Sequence, residues 1–206
     1  MEAFHCYTPD SRQLKIVPLV ARLVTYDVAE APGDDKPNFR VEMIGSQIIQ
    51  TLLQFTKTKK INDSLLAMDN TQLVDLLNSS CGSHIMDAFV SAPFVGEKGR
   101  DKMMQKLQGS YFALATNKYG SRALDAIWEA STVKTRISIG EELLEKELAL
   151  KSNKFGVCLY QSYALELLKR QKMDWKSVQD KNNKKRNLFA GIVEPLGASG
   201  KSHLYP

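Results

Sequence analysis

The 206-residue sequence has few of the residues that build metal centres or disulfide frameworks. It contains three histidines and three cysteines. The cysteines, Cys6, Cys81 and Cys158, are far apart and odd in number. No spacing among these residues matches a metal-ligand motif or the even, closely spaced set of a disulfide-stapled domain. We therefore expect no bound metal, no disulfide framework and a reducing compartment, the cytosol or the nucleus.

Long apolar runs and phosphate-binding loops are also missing. No apolar run approaches the roughly 18 residues that a membrane span needs, and residues 1–10 lack the charged-then-apolar pattern of a signal peptide. Residues 197–202, Gly-Ala-Ser-Gly-Lys-Ser, weakly resemble the end of a P-loop. They lack the first P-loop glycine at the spacing that the motif requires, and no strand is predicted before them. We expect no membrane association, no cofactor and no catalytic activity.

A fixed period is what the sequence does contain. Gly45, Gly82, Gly120 and Gly156 follow one another at 37, 38 and 36 residues, the range typical of stacked repeat arrays. The third, fourth, seventh and eighth residues after each glycine are apolar, and all but Ala123 and Ala164 are large. That spacing is one face of an α-helix, and it does not fit the alternation of a strand. Each copy therefore predicts a helix, which we call a glycine helix.

A second helix precedes each glycine helix. Leu76, Leu114 and Leu150 each stand six residues before a glycine, so the preceding segment repeats as well. A helix pair cannot bury its apolar face alone and has to stack on a neighbour. The sequence therefore predicts an all-α fold, an α-solenoid of stacked helical repeats. In the first copy, residues 31–37 are rich in Pro, Gly and Asp and predict an inserted surface loop.

The predicted organisation has three parts. Residues 1–10 are an N-terminal lead, residues 11–180 hold four repeats with glycine helices starting near 45, 82, 120 and 156, and residues 181–206 form a basic, flexible tail. Within the repeats we expect a helix over residues 13–27, bent at Pro18. We expect the last glycine helix, residues 156–170, to be the longest.

Polar residues recur at the first, second and fifth places after the glycines. At 3.6 residues per turn these places lie at roughly 0, 100 and 40 degrees around a helix, so they share a face distinct from the apolar one. In chain order the residues are Ser46, Gln47 and Gln50; Ser83, His84 and Asp87; Ser121, Arg122 and Asp125; and Val157, Cys158 and Gln161.

The motif Tyr119-Gly120-Ser121-Arg122, with its period near 36 residues, resembles the Pumilio (PUF) RNA-binding repeat. The resemblance implies that the three polar places face RNA at one base per repeat. The first and fifth places would touch base edges, through Ser46 with Gln50, Ser83 with Asp87, Ser121 with Asp125, and Val157 with Gln161. The second places would stack between bases, through Gln47, His84, Arg122 and Cys158.

Several of these residues depart from the family pattern. Val157 offers no hydrogen bond, Cys158 offers little for stacking, and Asp87 and Asp125 are one methylene shorter than the usual Gln or Glu. The aspartates could instead stabilise the first turn of a helix, and Val157 and Cys158 could be packing residues. Ser46 with Gln50 is the pair of the standard kind, used in the family for adenine. We expect RNA binding with low sequence demand, or by shape.

Residues 80–88, 117–128 and 153–160 most resemble the branch of the family that acts in small-ribosomal-subunit biogenesis. That branch implies a nucleolar, monomeric protein that binds single-stranded or structured pre-ribosomal RNA, acts in 18S rRNA processing and meets pre-ribosomal proteins. Family members carry more than four repeats, so we expect a C-terminal part or short isoform. The alternative is a protein-binding scaffold of the HEAT or armadillo kind. The basic run 184–186 could serve nuclear import, attract RNA nonspecifically or be a solvated tail.

Overall fold

The computed structural model describes residues 14–24 and 40–193, without the side chains of residues 185–187 and 189–193. These residues form 13 α-helices and no strand, which confirms the predicted all-α class. In chain order the helices are α1 (Ile16–Arg22), α2 (Met43–Leu53), α3 (Lys59–Ala67), α4 (Asn70–Leu77), α5 (Ser83–Ser91), α6 (Gly96–Leu107), α7 (Tyr111–Ala115), α8 (Gly120–Ala130), α9 (Val133–Glu145), α10 (Glu147–Ser152), α11 (Lys154–Ser162), α12 (Leu165–Arg170) and α13 (Lys172–Val193).

The chain divides into two compact units, Met1–Tyr163 and Ala164–Pro206. In the first unit the glycine helices α2, α5, α8 and α11 pack in chain order, each against the next. The preceding helices α4 and α7 pack against each other, and so do α3 and α6. In the second unit α12 packs against α13.

Each complete copy contains three helices, whereas the repeat predicted a helix pair. In the third copy alone the sequence also predicts two separate helices before the glycine, over residues 100–107 and 111–115, which correspond to α6 and α7. Before the second glycine helix lie α3 and α4, before the third lie α6 and α7, and before the fourth lie α9 and α10. Helix α3 was not predicted. The segment expected to be one helix, residues 137–150, is divided at Lys146, where ψ is 38°. Leu65, Met103 and Leu143 of α3, α6 and α9 are buried, so the additional helices belong to the core.

The repeated glycines let two helices approach closely. A Cβ on Gly82 would overlap the carbonyl oxygen of Leu76, and one on Gly156 would overlap that of Leu150. On Gly120 it would lie 2.7 Å from the carbonyl oxygen of Leu114. These leucines are the residues six places before each glycine, and all three are fully buried. The repeated glycine and the repeated leucine six residues before it are therefore partners in the same contact.

The first copy makes the same contact through a more distant residue. A Cβ on Gly45 would overlap the carbonyl oxygen of Val20 and lie 2.8 Å from that of Ala21, both in α1. Helix α1 thus takes the place of the preceding helix. The predicted inserted loop falls between α1 and α2, at residues outside the part of the chain that is described.

A capping residue stands three places before the glycine in the last three copies. The Gly82 amide donates to Ser79 Oγ at 2.9 Å. The amides of Gly120 and Gly156 donate to Oδ1 of Asn117 and Asn153, both at 3.1 Å. Short polar side chains at such positions satisfy the amides that a helix start leaves without partners.

Helix α1 is shorter than the predicted helix over residues 13–27. Pro18 is its third residue, in the first turn, where backbone amides have no intrahelical partner to lose. The helix ends where Leu23 adopts a left-handed conformation, with φ of 53°. Ser64 caps its start by accepting a hydrogen bond from the Val17 amide at 2.9 Å. The rest of the predicted span, residues 13 and 25–27, lies outside the described residues.

The last glycine helix is also shorter than predicted. The sequence indicated one helix over residues 156–170, but α11 ends at Ser162 and α12 begins at Leu165. Ala164 between them is left-handed, with φ of 52°. This conformation costs a non-glycine residue about 1–2 kcal/mol. Tyr163, which precedes it, is 1% exposed, so its burial helps to offset that cost.

Helix α13 extends beyond the predicted start of the flexible tail. It has 22 residues and continues through the basic run to Val193. Lysine and arginine are good helix formers, which favours a helix over an irregular tail here. The Gly- and Pro-containing end, residues 194–206, lies outside the described part of the chain.

The close approach at Gly82 predicts that Gly82→Ala lowers the free energy of unfolding by about 1–3 kcal/mol, the usual range when atoms are forced into filled space. Urea unfolding followed by circular dichroism would measure it. Gly99 in α6 is the matched control, since an added Cβ would meet there only Val95 Cγ1 at 3.0 Å. Gly99→Ala should be neutral or stabilising by up to about 1 kcal/mol. Equal unfolding midpoints for the two variants would contradict the contact.

Candidate nucleic-acid interface

The serines at the first place after the glycines are buried. Ser46, Ser83 and Ser121 are 2%, 2% and 8% exposed. Their hydroxyls donate to backbone carbonyls, Ser46 to Cys81 at 2.6 Å, Ser83 to Ser80 at 3.4 Å and Ser121 to Lys118 at 3.0 Å. Their contact with base edges stays a prediction, and the structure gives them a further role in holding the helix starts. The Ser46 hydrogen bond also joins α2 to the segment before α5.

The residues at the second place are exposed. Gln47, His84, Arg122 and Cys158 lie at the same position of α2, α5, α8 and α11. Because these helices pack side by side in chain order, we expect the four residues to form one row across the first unit. We call this set the second-position row. It presents an amide, an imidazole, a guanidinium and a thiol in that order.

The residues at the fifth place differ from copy to copy. Gln50 is half-buried, and its Nε2 donates to Ser46 Oγ at 2.9 Å. Asp87 is exposed, with Oδ2 3.5 Å from Nδ1 of His84. Gln161 is exposed on α11. The imidazole of His84 is thus oriented by a carboxylate on its own helix, three residues along.

Asp125 is tied to the next glycine helix. Its Oδ1 accepts a hydrogen bond from the Tyr163 hydroxyl at 2.8 Å. The Tyr163 ring in turn stacks on Trp128, with ring centroids 3.8 Å apart and planes 1° from parallel. The sequence interpretation treated Asp125 as a reader of a base edge. That role stays a prediction, and the structure shows that one carboxylate oxygen already serves an inter-repeat contact.

The pKa values of both partners of this hydrogen bond are raised by desolvation. Desolvation raises the pKa of Asp125; the Tyr163 hydrogen bond lowers it, and the Glu129 charge raises it further. The pKa of Tyr163 is well above its usual range, first because of burial and then because of the Asp125 charge. Tyr163 therefore stays protonated and acts as the donor.

Sequence reasoning missed two residues of this cluster. Tyr163 was assigned to the apolar face only, although Leu52, Phe89 and Ile127 at the same place in the other copies have no hydroxyl. That difference was a usable signal. Arg136 is 1% exposed, and its Nε donates to the Trp128 carbonyl at 2.8 Å. Its sequence context gave no sign of burial.

Two lysines flank the row at the starts of α8 and α11. Lys118 Nζ lies 5.2 Å from the centre of the Tyr119 ring, and Lys154 Nζ lies 4.8 Å from the centre of the Phe155 ring. Both lysines are exposed and stand two residues before a glycine. Each of these positively charged lysines stands four residues before a member of the row, Lys118 before Arg122 and Lys154 before Cys158.

Within residues 14–24 and 40–193, no group of three or more His, Cys, Asp and Glu side chains could hold a metal ion. None of the helices in these ranges is long and apolar enough to cross a membrane.

Comparison with known proteins identifies related sequences. The family model described as the NOP9-like PUF repeat domain matches residues 1–157. Nucleolar protein 9 of Mus musculus is 36% identical over 94% of this chain, and that of Homo sapiens is 35% identical over 94%. Nucleolar protein 9 of Neosartorya fischeri is 25% identical over 81% of the chain. The chain spans 33% of the length of each mammalian relative.

Comparison with solved structures identifies a related fold. The structure of APUM23-GGAUUUGACGG has a TM-score of 0.69 at 20% identity, covering 84% of this chain and 33% of that chain. The structure of APUM23-GGAGUUGACGG has a TM-score of 0.71 over the same coverage. At this identity the likeness is one of fold, and it confirms the predicted solenoid of helical repeats.

The buried hydroxyl of Ser46 predicts a structural effect of Ser46→Ala. Loss of its hydrogen bond to the Cys81 carbonyl should reduce the free energy of unfolding by about 1–3 kcal/mol, measured in urea. Thr51 on the same helix is the control, because its hydroxyl is exposed and bonds only to the Gln47 carbonyl one turn before. Thr51→Ala should change stability little. Equal effects would show that the Ser46 contact contributes nothing.

The raised pKa of Asp125 predicts a pH dependence. A folded-state pKa above the unfolded value makes ionisation less favourable in the folded chain. The wild type should therefore lose stability relative to Asp125→Asn as pH rises above the ordinary aspartate value of 3.8. Asparagine can still accept from Tyr163 and carries no titrating proton. Urea unfolding of both chains across acidic to neutral pH would measure the difference, and a gap that is constant or shrinks with rising pH would contradict the assignment.

Proposed function

The chain belongs to the family of NOP9-like PUF repeat domains, and we propose that it binds RNA along the second-position row. One observation supports this most directly: the four packed glycine helices each present an exposed side chain at the same place. Unpaired bases bind proteins by stacking on planar side chains and by hydrogen bonds at their edges. A row with one side chain per repeat suits successive bases of a single strand.

The chemistry of the row suggests how strongly each repeat contributes. Arg122 and His84 have planar side chains, which suit stacking between bases. Gln47 stacks more weakly, and Cys158 offers the least. Asp87 and Gln161 at the fifth places are exposed beside the row and could meet base edges. With one standard pair at most, Ser46 with Gln50, the array should bind RNA with little sequence preference.

We extend the proposal to the biological role of the relatives. The family carries a PUF repeat name, and relatives in mammals and a fungus are named nucleolar protein 9, in agreement with the predicted nucleolar localisation. We propose a monomer with four repeats in residues 11–180 that binds pre-ribosomal RNA, acts in small-subunit rRNA processing and contacts pre-ribosomal proteins. In this proposal the chain binds RNA and does not catalyse a reaction.

A protein-binding scaffold is the second candidate. Met43, Ile44 and Ile48 on the first glycine helix are 61%, 57% and 40% exposed. Ile48 is one of the repeat apolar positions, and the other fifteen are buried or half-buried. Exposed apolar side chains grouped on one helix favour a protein partner. The row of polar side chains gives the RNA proposal the stronger support.

Removal of the Arg122 side chain tests the RNA proposal. Arg122→Ala should weaken binding by roughly 1–3 kcal/mol, the scale of one lost stack. The probes are labelled GGAUUUGACGG RNA, the sequence named with APUM23, and a random pool of the same length. Fluorescence anisotropy would give both affinities.

Lys134→Ala is the matched control, because it removes one exposed positive charge from α9, away from the row. It should leave affinity nearly unchanged. Equal affinity of wild type and Arg122→Ala for both probes would exclude the row as the binding surface. Failure of the wild type to bind either probe would favour the protein scaffold.

A further inference from the structure

Positive charge is concentrated in the last described helix. The whole chain carries a net charge of +5. Helix α13, Lys172–Val193, contains six Lys and Arg against two Asp, which leaves +4 in 22 residues. All other residues together contribute +1. The repeat array that carries the second-position row is therefore nearly neutral, while one helix of the second unit is strongly cationic.

Helix α13 has a buried side and an exposed side. Trp175 is fully buried and Gln179, one turn later, is 5% exposed. Lys181 and Lys184 are exposed, as are Met173 and Leu188. At 100° per residue, Lys184 lies about 180° around the helix from Trp175. The two lysines therefore project from the side opposite the packed one.

The acidic residues of α13 leave this side positive. Asp174 and Asp180 are both exposed, but they are outnumbered by the basic residues, and the run 181–186 contains four Lys or Arg and no acid. Like charges in one run repel each other, which disfavours the helix unless an anion lies nearby. A helix that packs on one side and is cationic on the other can lie against a negatively charged nucleic-acid backbone.

We propose that the exposed side of α13, marked by Lys181 and Lys184, binds RNA phosphates as a second contact surface in addition to the second-position row. The inference rests on the proposed function in taking RNA as the ligand. The second-position row and α13 then have different roles. The row stacks on bases, and α13 attracts the RNA backbone without regard to sequence. Phosphate neutralisation releases counterions, so α13 should account for much of the salt dependence of binding.

The salt dependence of RNA affinity tests this assignment in the full chain. Lys181→Gln/Lys184→Gln removes two charges and keeps good helix formers. With labelled poly(U) and a monovalent salt series, the slope of log affinity against log salt should become shallower by about 1.4, since each single-strand phosphate contact contributes about 0.7. The same slope predicts an affinity roughly 25-fold weaker at about 0.1 M salt. Lys181→Arg/Lys184→Arg should retain both slope and affinity.

A second pair of lysines controls for net charge. Lys98 and Lys102 are exposed on α6, and Lys98→Gln/Lys102→Gln makes the same change in total charge. This variant should keep the wild-type slope. The inference is overturned if the control lowers the slope as much as the α13 variant does, or if the α13 variant binds as the wild type does. The latter result would favour a solvated face or an import signal.

The outcome also separates this inference from the proposed function. If Arg122→Ala weakens binding and the α13 variant does not, RNA binding on the row stands and the role of α13 fails. If the α13 variant weakens binding and Arg122→Ala does not, the helix holds RNA and the row was wrongly assigned. If the wild type binds neither poly(U) nor the other probes at low salt, both proposals fail.

Discussion

The repeat array depends on the contact between a glycine and the carbonyl oxygen of a leucine six residues before it. At Gly82, Gly120 and Gly156 there is no room for a Cβ, because the preceding helix turns back against the start of the glycine helix. This contact fixes the position of each of these glycines against the preceding helix. The polar places are counted from the same glycine, so their positions follow from the same contact. The sequence repeats at this period because, in each copy, a residue without a side chain is required where two helices touch.

The inter-repeat contacts use the same polar places that recognition would use. Ser46 bonds to the Cys81 carbonyl, and Asp125 accepts from Tyr163 of the next glycine helix. A hydroxyl or carboxylate that is committed within the protein has less freedom to match different bases. Asp87, Asp125 and Gln161 are exposed at the fifth places, although one oxygen of Asp125 is bonded to Tyr163, and the second places are exposed in all four copies. Stacking, which every base can provide, is then the contact that this surface offers most evenly.

The sequence predicted the helical class, the repeat, the glycine helices and the exposed second places, because each follows from a period that can be counted. It did not predict α3, because that helix begins within a basic run, residues 57–60, that reads as a turn, and it did not predict the division of residues 137–150 into α9 and α10. It also missed the end of α11, because Ala164 is an ordinary helix former and its left-handed conformation depends on where Tyr163 packs. The burial of Arg136 was equally hidden, because its hydrogen bonds go to backbone carbonyls at Trp128 and Glu129. Features fixed by local spacing were predictable, and those fixed by tertiary partners were not.

The separation of charge from the array has a physical consequence for recognition. A nearly neutral surface attracts a polyanion weakly over distance, so encounter with RNA would be slow if the row acted alone. A cationic helix in the same chain raises the local concentration of RNA without adding sequence preference. In the proposed function, stacking on Arg122 and His84 would act at short range, where planar contact matters more than charge. Such a division would let the row carry weak stackers such as Gln47 and Cys158, because affinity need not come from every repeat.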